Sequence, residues 1–266
     1  MVDHYAVIGN PVGHSKSPRI HALFAEQCRQ QMDYSALLAP LDGFAAAVKQ
    51  FAAAGGRGAN VTVPFKEEAY RLANTLTPRA KAARAVNTLS FEQGGIAGDN
   101  TDGAGLVRDL TVNHRCTILG KHVLLLGAGG AARGVALPLL SEGPALLVVA
   151  NRSSDKAARL AKDFPGTRAS GFADLAGQTF DLVINATSAG LSGAELPLPA
   201  GIFAAGGLAY EMLYGRETPF ITRARDAGAK VADGLGMLVE QAAEAFLVWR
   251  GMRPDTAPVL AALKSE

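Results

Sequence analysis

Three loops in the first hundred residues carry side chains able to hold and polarise a small oxygenated molecule. In Gly9-Asn10-Pro11-Val12-Gly13-His14-Ser15-Lys16-Ser17-Pro18, two hydroxyls stand at the start of a predicted helix. Serine donors and the helix dipole act together there on a carboxylate. The plainer reading makes Ser17 an N-cap, Ser15 a loop residue and His14 structural. In Asn60-Val61-Thr62-Val63-Pro64-Phe65-Lys66, polar and apolar residues alternate, which puts Asn60 and Thr62 on one strand face with Lys66 just beyond Pro64. Asn87-Thr88 and Gly98-Asp99-Asn100-Thr101-Asp102-Gly103 add amides and carboxylates at strand ends. One lysine and one aspartate converging on a carbonyl or alcohol would form an acid/base pair for the proton that accompanies hydride transfer. Nothing in the spacing requires Lys66 and Asp102 to converge.

A second signal lies further on. The apolar run His122 to Leu126 is followed by Gly127-Ala128-Gly129-Gly130-Ala131-Ala132, a G-x-G-x-x-A turn between a predicted strand and a predicted helix. That is the context a dinucleotide fingerprint requires. Gly127 permits the tight turn, Gly129 lets the backbone approach a pyrophosphate, and small Ala132 allows close helix packing. The helix N-terminus meets the phosphates. Standing alone, such a turn is often a glycine-rich bend with no ligand, but here strand, turn, helix and next strand fall in register. The next strand ends in Ala150-Asn151-Arg152-Ser153, where an NAD enzyme would place a ribose-binding acid. Asn151 and Ser153 can bond a 2′-phosphate and Arg152 can pair with it, so NADP is expected over NAD. Lys156, four residues on, is read as a second cation on the same helical side, while Asp155 opposes both. Asn185-Ala186-Thr187-Ser188-Ala189-Gly190 ends a later strand, where small polar groups suit a nicotinamide ribose.

The elements that must position these residues follow from periodicity and punctuation. Strands are expected at 5–8, 34–38, 58–63, 87–91 and 95–98, the last two as a hairpin around Gly94-Gly95. Helices are expected from Ser17 to about Gln30, from Phe44 to Ala54 and from Lys66 to Ala73, with a short piece from Arg79 to Ala83. Beyond a helix starting at Asp102, the alternation restarts with strands at 122–126, 145–150 and 181–185. It continues with a strand through Phe203, Leu208 and Met212, a helix from Thr218 to Ala227, a strand at 230–232 and two closing helices. Ala169 sits in a short apolar stretch. The fold class is therefore α/β: an N-terminal α/β substrate-binding domain and a doubly wound, Rossmann-type parallel domain, with C-terminal helices returning to the first. The expected bounds are 1–102, 103–236 and 237–266.

Composition removes several classes. The chain has 266 residues, 48% hydrophobic and 19% charged, which is ordinary globular content. With 26 Lys and Arg against 24 Asp and Glu the formal charge is +2, too small to favour nucleic acid by counterion release. Cys28 and Cys116 have no metal-ligand or disulfide spacing, so no metal is expected and the compartment reads as reducing. No leader and no apolar run long enough for a membrane span are seen. A cytoplasmic protein, monomer or homodimer, acting on a small molecule is expected.

The strings GNPVGHSKSPRIH, NVTVPFKEEAY, AVNTL, GDNTDG, GAGGAAR, NRSS, NATSAG and DGLGMLVEQAA, in this order across nearly the whole chain, resemble the shikimate dehydrogenase family. The resemblance implies reversible, NADPH-dependent reduction of 3-dehydroshikimate to shikimate in aromatic amino-acid biosynthesis. It implies Lys66 and Asp102 as the catalytic pair and Ser15 and Ser17 as carboxylate binders. Thr62, Asn87 and Gln241 become partners of the substrate hydroxyls and their neighbours, with Asn60 a further candidate and Tyr214 a tyrosine near the substrate. Met212 and Gly234 join Gly127, Ala128, Gly129, Gly130, Ala131, Asn151, Arg152, Ser153, Lys156 and Thr187 as cofactor-binding positions. Two departures stand out: Lys156 where the family often has arginine, and Glu211 where it often has aspartate, the latter expected to touch the region between the domains. Competing readings are an NAD-accepting quinate/shikimate dehydrogenase, a folate-type dehydrogenase, and a catalytically silent NADPH-binding regulator.

Overall fold

Tyr5, Ala6, Val7 and Ile8 are buried along strand β1 (Asp3–Gly9), near the middle of a six-stranded sheet. The computed structural model describes residues 2–92 and 95–265. The chain divides into two units, Met1–Gly105 with Leu238–Glu266, and Leu106–Met237.

In the first unit β1 is followed by α1 (Ser17–Gln27), β2 (Met32–Leu38), α2 (Phe44–Ala53), β3 (Gly56–Val61), α3 (Lys66–Leu72), β4 (Thr75–Leu76), α4 (Pro78–Ala83), β5 (Thr88–Glu92) and β6 (Gly95–Asp99). The sheet order is β2-β1-β3-β5-β6-β4. Strand β1 runs parallel to β2 and β3, whereas β5 is antiparallel to β3 and β6. This reversal brings the carboxyl end of β3 beside Asn87 and Thr88 at the start of β5 and beside Asp99 at the end of β6, so the three polar loops meet at one edge. Ile8, Phe44, Val48, Val61, Phe65 and Leu89 close the core beneath them. From α10 (Leu235–Arg250), which α11 (Ala257–Lys264) follows, Trp249 donates its indole N–H to the Leu89 carbonyl at 3.1 Å.

In the second unit, the end of α5 (Asp102–Arg108) leads through a π-helical turn to β7 (His122–Leu126), α6 (Gly130–Ser141), β8 (Leu146–Asn151), α7 (Ser154–Asp163), β9 (Thr167–Gly171), β10 (Phe180–Asn185), α8 (Ala189–Ser192), β11 (Phe203–Glu211), α9 (Pro219–Asp226) and β12 (Lys230–Asp233). All six strands are parallel, in the order β12-β11-β10-β7-β8-β9. That is the doubly wound order with its switch point between β7 and β10. The near-continuous burial of β7, β8 and β10 fits strands covered on both faces.

Several expectations change. Helix α1 begins at Ser17 with Lys16 at its N-cap position and no side-chain cap, so Ser17 is not the N-cap; instead its N–H donates to Ser15 Oγ at 3.2 Å. Strand β3 stops at Val61, one residue short of the expected Thr62, whose N–H nonetheless donates to the Ile8 carbonyl of β1 at 3.0 Å. Thr62 enters the turn before α3, where its carbonyl accepts from Phe65 N at 3.0 Å. The stretch around Ala169 is the edge strand β9, and two-residue β4 is too short to leave a periodic signal. The expected turn residue Gly94 lies outside the described residues. Among the described residues, no helix is long and apolar enough to cross a membrane.

Candidate active site

Lys66 is the first residue of α3, delivered there by the Pro64 turn that ends β3, and Asp102 is the first residue of α5. Although 36 residues apart, Lys66 Nζ donates to Asp102 Oδ2 at 2.6 Å, and both side chains keep partial exposure, 32% and 16%. Asn87 fixes the other carboxylate oxygen, donating from Nδ2 to Asp102 Oδ1 at 2.9 Å. The same nitrogen reaches Thr101 Oγ1 at 2.9 Å and Gln241 Oε1 at 3.2 Å. Asn87 Oδ1 accepts from Thr101 N at 2.8 Å. Asn87 is therefore a buried hub whose hydrogens are already shared among three acceptors, while Asp102 and Lys66 keep an open side.

Beneath the pair lies a charged clamp. Arg79 forks onto Asp99 through Nε at 2.7 Å and Nη2 at 2.6 Å, and reaches Glu244 at 2.8 Å. Burial pushes the Asp99 carboxyl up, but Arg79 and Thr77 more than offset it and hold the group below its ordinary value. Asp99 Oδ1 also accepts from Asn100 N at 2.7 Å, and Asn100 Oδ1 accepts from Asp102 N at 3.1 Å. The ion pair thus sets the turn that aims Asp102.

Behind Ser17, one turn along α1, His21 is wholly buried and stacks on Tyr34 with ring centroids 4.1 Å apart and planes 6° apart. Neither ring nitrogen has a hydrogen-bond partner of good geometry. Burial drives its pKa down to about 3, with nearby Asn60 opposing. The unfolded chain accepts this proton near pH ~6.5, so as pH falls from there the unfolded state binds more protons and the fold loses stability. The loss is at most about 1.4 kcal/mol per pH unit. Urea unfolding at pH 7 and pH 5 is expected to show a decline that is about 2 kcal/mol smaller in His21→Leu; identical declines would exclude this histidine.

In the second unit Gly127 sits at φ +108°, with the Ala186 carbonyl 3.1 Å from where a Cβ would lie. A side chain is excluded there on both grounds. A Cβ on Gly129 or Gly130 would instead meet nothing within 4 Å. The protein's own packing does not require those two glycines, and the cradle they leave before the N-terminus of α6 fits a pyrophosphate. Ala132 is fully buried against the sheet. Gly234 is required by packing, since a Cβ there would collide with the Met212 carbonyl; Met212 and Tyr214 stand in the loop after β11. Asn151 ends β8 and braces the turn, its Nδ2 donating to the Ser153 carbonyl at 3.1 Å. Arg152 and Lys156 are exposed. Because α7 begins only at Ser154, Arg152 precedes it, and the expected one-turn helical spacing between the two cations does not exist. Thr187, after β10, donates its hydroxyl to Asn185 Oδ1 at 2.8 Å. Glu211 acts inside this unit, fully buried and accepting from Asn185 at 2.8 Å and Thr218 at 3.0 Å. Burial raises its pKa against the bonds from Leu213 N, Asn185 and Thr218.

Lys66, Asp102, Asn87 and Gln241 are thus brought together, and Asn60 lies alongside, bonded to the Asn87 carbonyl at 3.1 Å. Sequence reading passed over Thr101, Arg79 and Tyr34. Thr101 and Arg79 had a faint signal in the alternating carboxylates and amides after β6, which need partners. Tyr34 had none.

A doubly wound sheet with a glycine cradle at its switch point, joined in one chain to a mixed sheet bearing a lysine–aspartate pair, defines a two-unit α/β protein of the dinucleotide-binding class. Residues 7–89 match the shikimate dehydrogenase substrate binding domain, residues 111–192 match shikimate / quinate 5-dehydrogenase, and residues 234–264 match the shikimate 5'-dehydrogenase C-terminal domain. A shikimate dehydrogenase (NADP(+)) of Dechloromonas aromatica is 64% identical over 271 residues, covering 100% of this chain and 99% of its own. Among solved structures, an Ael1 enzyme from Pseudomonas putida is 51% identical with a TM-score of 0.94, covering 98% of each chain. The shikimate 5-dehydrogenase of Thermus thermophilus, solved with NADP(H) and shikimate, is 36% identical with a TM-score of 0.89 over 100% of this chain and 99% of that one. The chain belongs to the shikimate dehydrogenase family.

Proposed function

We propose that the chain catalyses the reversible, NADPH-dependent reduction of 3-dehydroshikimate to shikimate in aromatic amino-acid biosynthesis. The observation that carries the reading is the 2.6 Å contact between Lys66 Nζ and Asp102 Oδ2, in the same unit as Ser15 and Ser17 and in a member of this family. Residues 1–102 with 237–266 form the substrate-binding and catalytic part, and residues 103–236 the NADP-binding part. The same reading places the enzyme in the cytoplasm as a monomer or homodimer.

Ser15 Oγ accepts from Ser17 N, so its own hydrogen is left for a substrate carboxylate. Thr62, Asn60, Asn87 and Gln241 are the proposed partners of the ring hydroxyls and their neighbours, and Tyr214 is a further substrate-binding candidate. Bound NADPH supplies the hydride. Lys66 donates a hydrogen bond and then a proton to the oxygen of the carbonyl being reduced, where charge develops, and Asp102 keeps the ammonium aimed. For the cofactor, Gly127, Ala128, Gly129, Gly130 and Ala131 offer backbone to the pyrophosphate. Asn151, Arg152, Ser153 and Lys156 hold the 2′-phosphate, and Thr187, Met212 and Gly234 line the nicotinamide side.

Initial rates of nicotinamide reduction with shikimate or quinate, each paired with NADP⁺ or NAD⁺, test the reading. Turnover is expected largely with shikimate and NADP⁺, and Arg152→Ala should cut the preference for NADP⁺ by roughly 10- to 100-fold, the worth of one charged hydrogen bond. Comparable quinate or NAD⁺ rates would move the chain to the dual-specificity branch. A folded sample without turnover would overturn the assignment.

A further inference from the structure

We propose that Glu211 is a positioning residue for the nicotinamide end of the cofactor, its carboxylate accepting at both oxygens and so holding the loop after β10 and the loop after β11 in place. The inference rests on the reading above, in which Thr187 and Met212 of those loops line the nicotinamide side.

Asn185 and Glu211 are the last residues of the adjacent parallel strands β10 and β11, and they are partners in register. Ligands of open α/β sheets bind outside such carboxyl ends. Yet both side chains are closed off, Asn185 being 1% and Glu211 0% exposed. They act from behind the loops that follow them.

The direction of each bond follows from donor counting. The Thr187 N–H donates to Asn185 Oδ1 at 3.1 Å, and the Thr187 hydroxyl donates to the same oxygen at 2.8 Å. A backbone N–H can only donate, which settles the orientation of the Asn185 amide. Its Nδ2 is then the group that faces Glu211, donating to Oε2 at 2.8 Å. Thr218 Oγ1 donates to that oxygen at 3.0 Å. The other oxygen, Oε1, accepts from Leu213 N at 3.2 Å, while Met212 N donates to the Asn185 carbonyl at 3.0 Å. Donors therefore face Glu211 at both oxygens, and a carboxylate satisfies them all.

The consequence lies in the loops. With its hydrogen spent on Asn185 and one lone pair taken by Ala189 N at 3.3 Å, the half-buried Thr187 hydroxyl is left as an acceptor. It suits a ligand hydroxyl or amide N–H, groups that a nicotinamide riboside carries. Thr218 steadies the same segment from below, its methyl lying 2.8 Å from where a Cβ on Gly190 would stand. An amide at position 211 cannot replace the carboxylate. Its nitrogen would meet the Leu213 N–H in one orientation and Asn185 Nδ2 in the other. Were Asn185 to turn over in response, its own nitrogen would meet the Thr187 N–H. Two buried donors face each other in every arrangement, and each conflict falls on one of the two loops.

Calorimetric titration of the full chain with NADPH, and with adenosine 2′,5′-bisphosphate, which lacks nicotinamide and its ribose, tests the role. Glu211→Gln is expected to raise the Kd for NADPH roughly 5- to 30-fold, the span for leaving a buried donor unpaired, and to leave the Kd for the bisphosphate within about twofold. Glu211→Asp keeps both acceptor oxygens on a shorter stem and should hold the NADPH Kd within about threefold of wild type. If the glutamine variant does not fold, Asn185→Ala, which cuts the link to Thr187 and leaves Glu211 its bonds from Thr218 and Leu213, should show the same selective loss. A lowered melting temperature with NADPH affinity unchanged would reduce Glu211 to packing and overturn the proposal. Equal weakening of both ligands, or an aspartate variant no better than the glutamine one, would overturn it too. If Thr187→Ala weakens NADPH binding while Glu211→Gln does not, the positioning role fails and the functional reading stands. If the wild-type protein does not bind NADPH at all, that reading fails first.

Discussion

Lys66→Met is expected to lower kcat by roughly 10²- to 10⁴-fold, the usual span for losing a positioned acid/base group, with the KM for shikimate changed less than about threefold. The ammonium touches Asp102 at 2.6 Å and retains an exposed side, so its bond to a substrate oxygen gains most when that oxygen becomes negative. An interaction made mainly in the transition state appears in kcat and kcat/KM equally. Methionine keeps the stem and removes only the charge and the donors. Steady-state rates in the shikimate-oxidising direction decide the matter: kcat near the wild-type value would remove Lys66 from the chemistry, and a rise confined to KM would make it a binding residue. Asp102→Asn should act in the same direction but more weakly, since Lys66 keeps its charge and loses its aim.

Arg79→Met is expected to cost about 3–5 kcal/mol of stability, because it strands a nearly buried carboxylate without its partner. Asp99 is 9% exposed on its side chain and depends on both arms of the guanidinium. Glu244, at 17%, loses one of its two arginines and keeps Arg253. Arg79→Lys should fall between the two, as a point charge cannot reproduce the fork. Both carboxyls sit below their ordinary values in the fold although burial alone would raise them. Their stabilisation is therefore complete above the unfolded carboxylate range and is lost as pH falls through the folded values. The wild-type advantage over Arg79→Met should accordingly shrink in acid. Urea unfolding at pH 7 and in acid measures both effects, and a loss below about 1 kcal/mol at pH 7 would show the pair to be no more than a surface bridge.

The second unit was more legible than the first. Its strands are buried on both faces, so periodicity alone located β7, β8 and β10 to within a residue or two. The turn at Gly127 followed from chemistry confined to a few adjacent residues. In the first unit the same reasoning put Thr62 on a strand that ends one residue earlier. It also made a cap of Ser17, whose N–H is instead taken up by Ser15 Oγ.

Sequence alone determined what depends on near neighbours: the α/β alternation, the cofactor turn, the missing acid after β8, and the inventory of serines, amides, lysine and aspartate in three loops. Only the tertiary structure decided which members of that inventory meet. Lys66 and Asp102 are 36 residues apart, and Asn87 and Gln241 are 154 apart. Their contacts exist because β5 runs antiparallel between β3 and β6 and because Gln241 belongs to the same unit as Asn87. Periodicity records which face of an element is buried, and it carries no record of what lies across the interface. The bond from the Tyr34 hydroxyl to Asn60 Oδ1 at 2.7 Å and the Arg79–Asp99 fork could therefore not be read until the chain had folded.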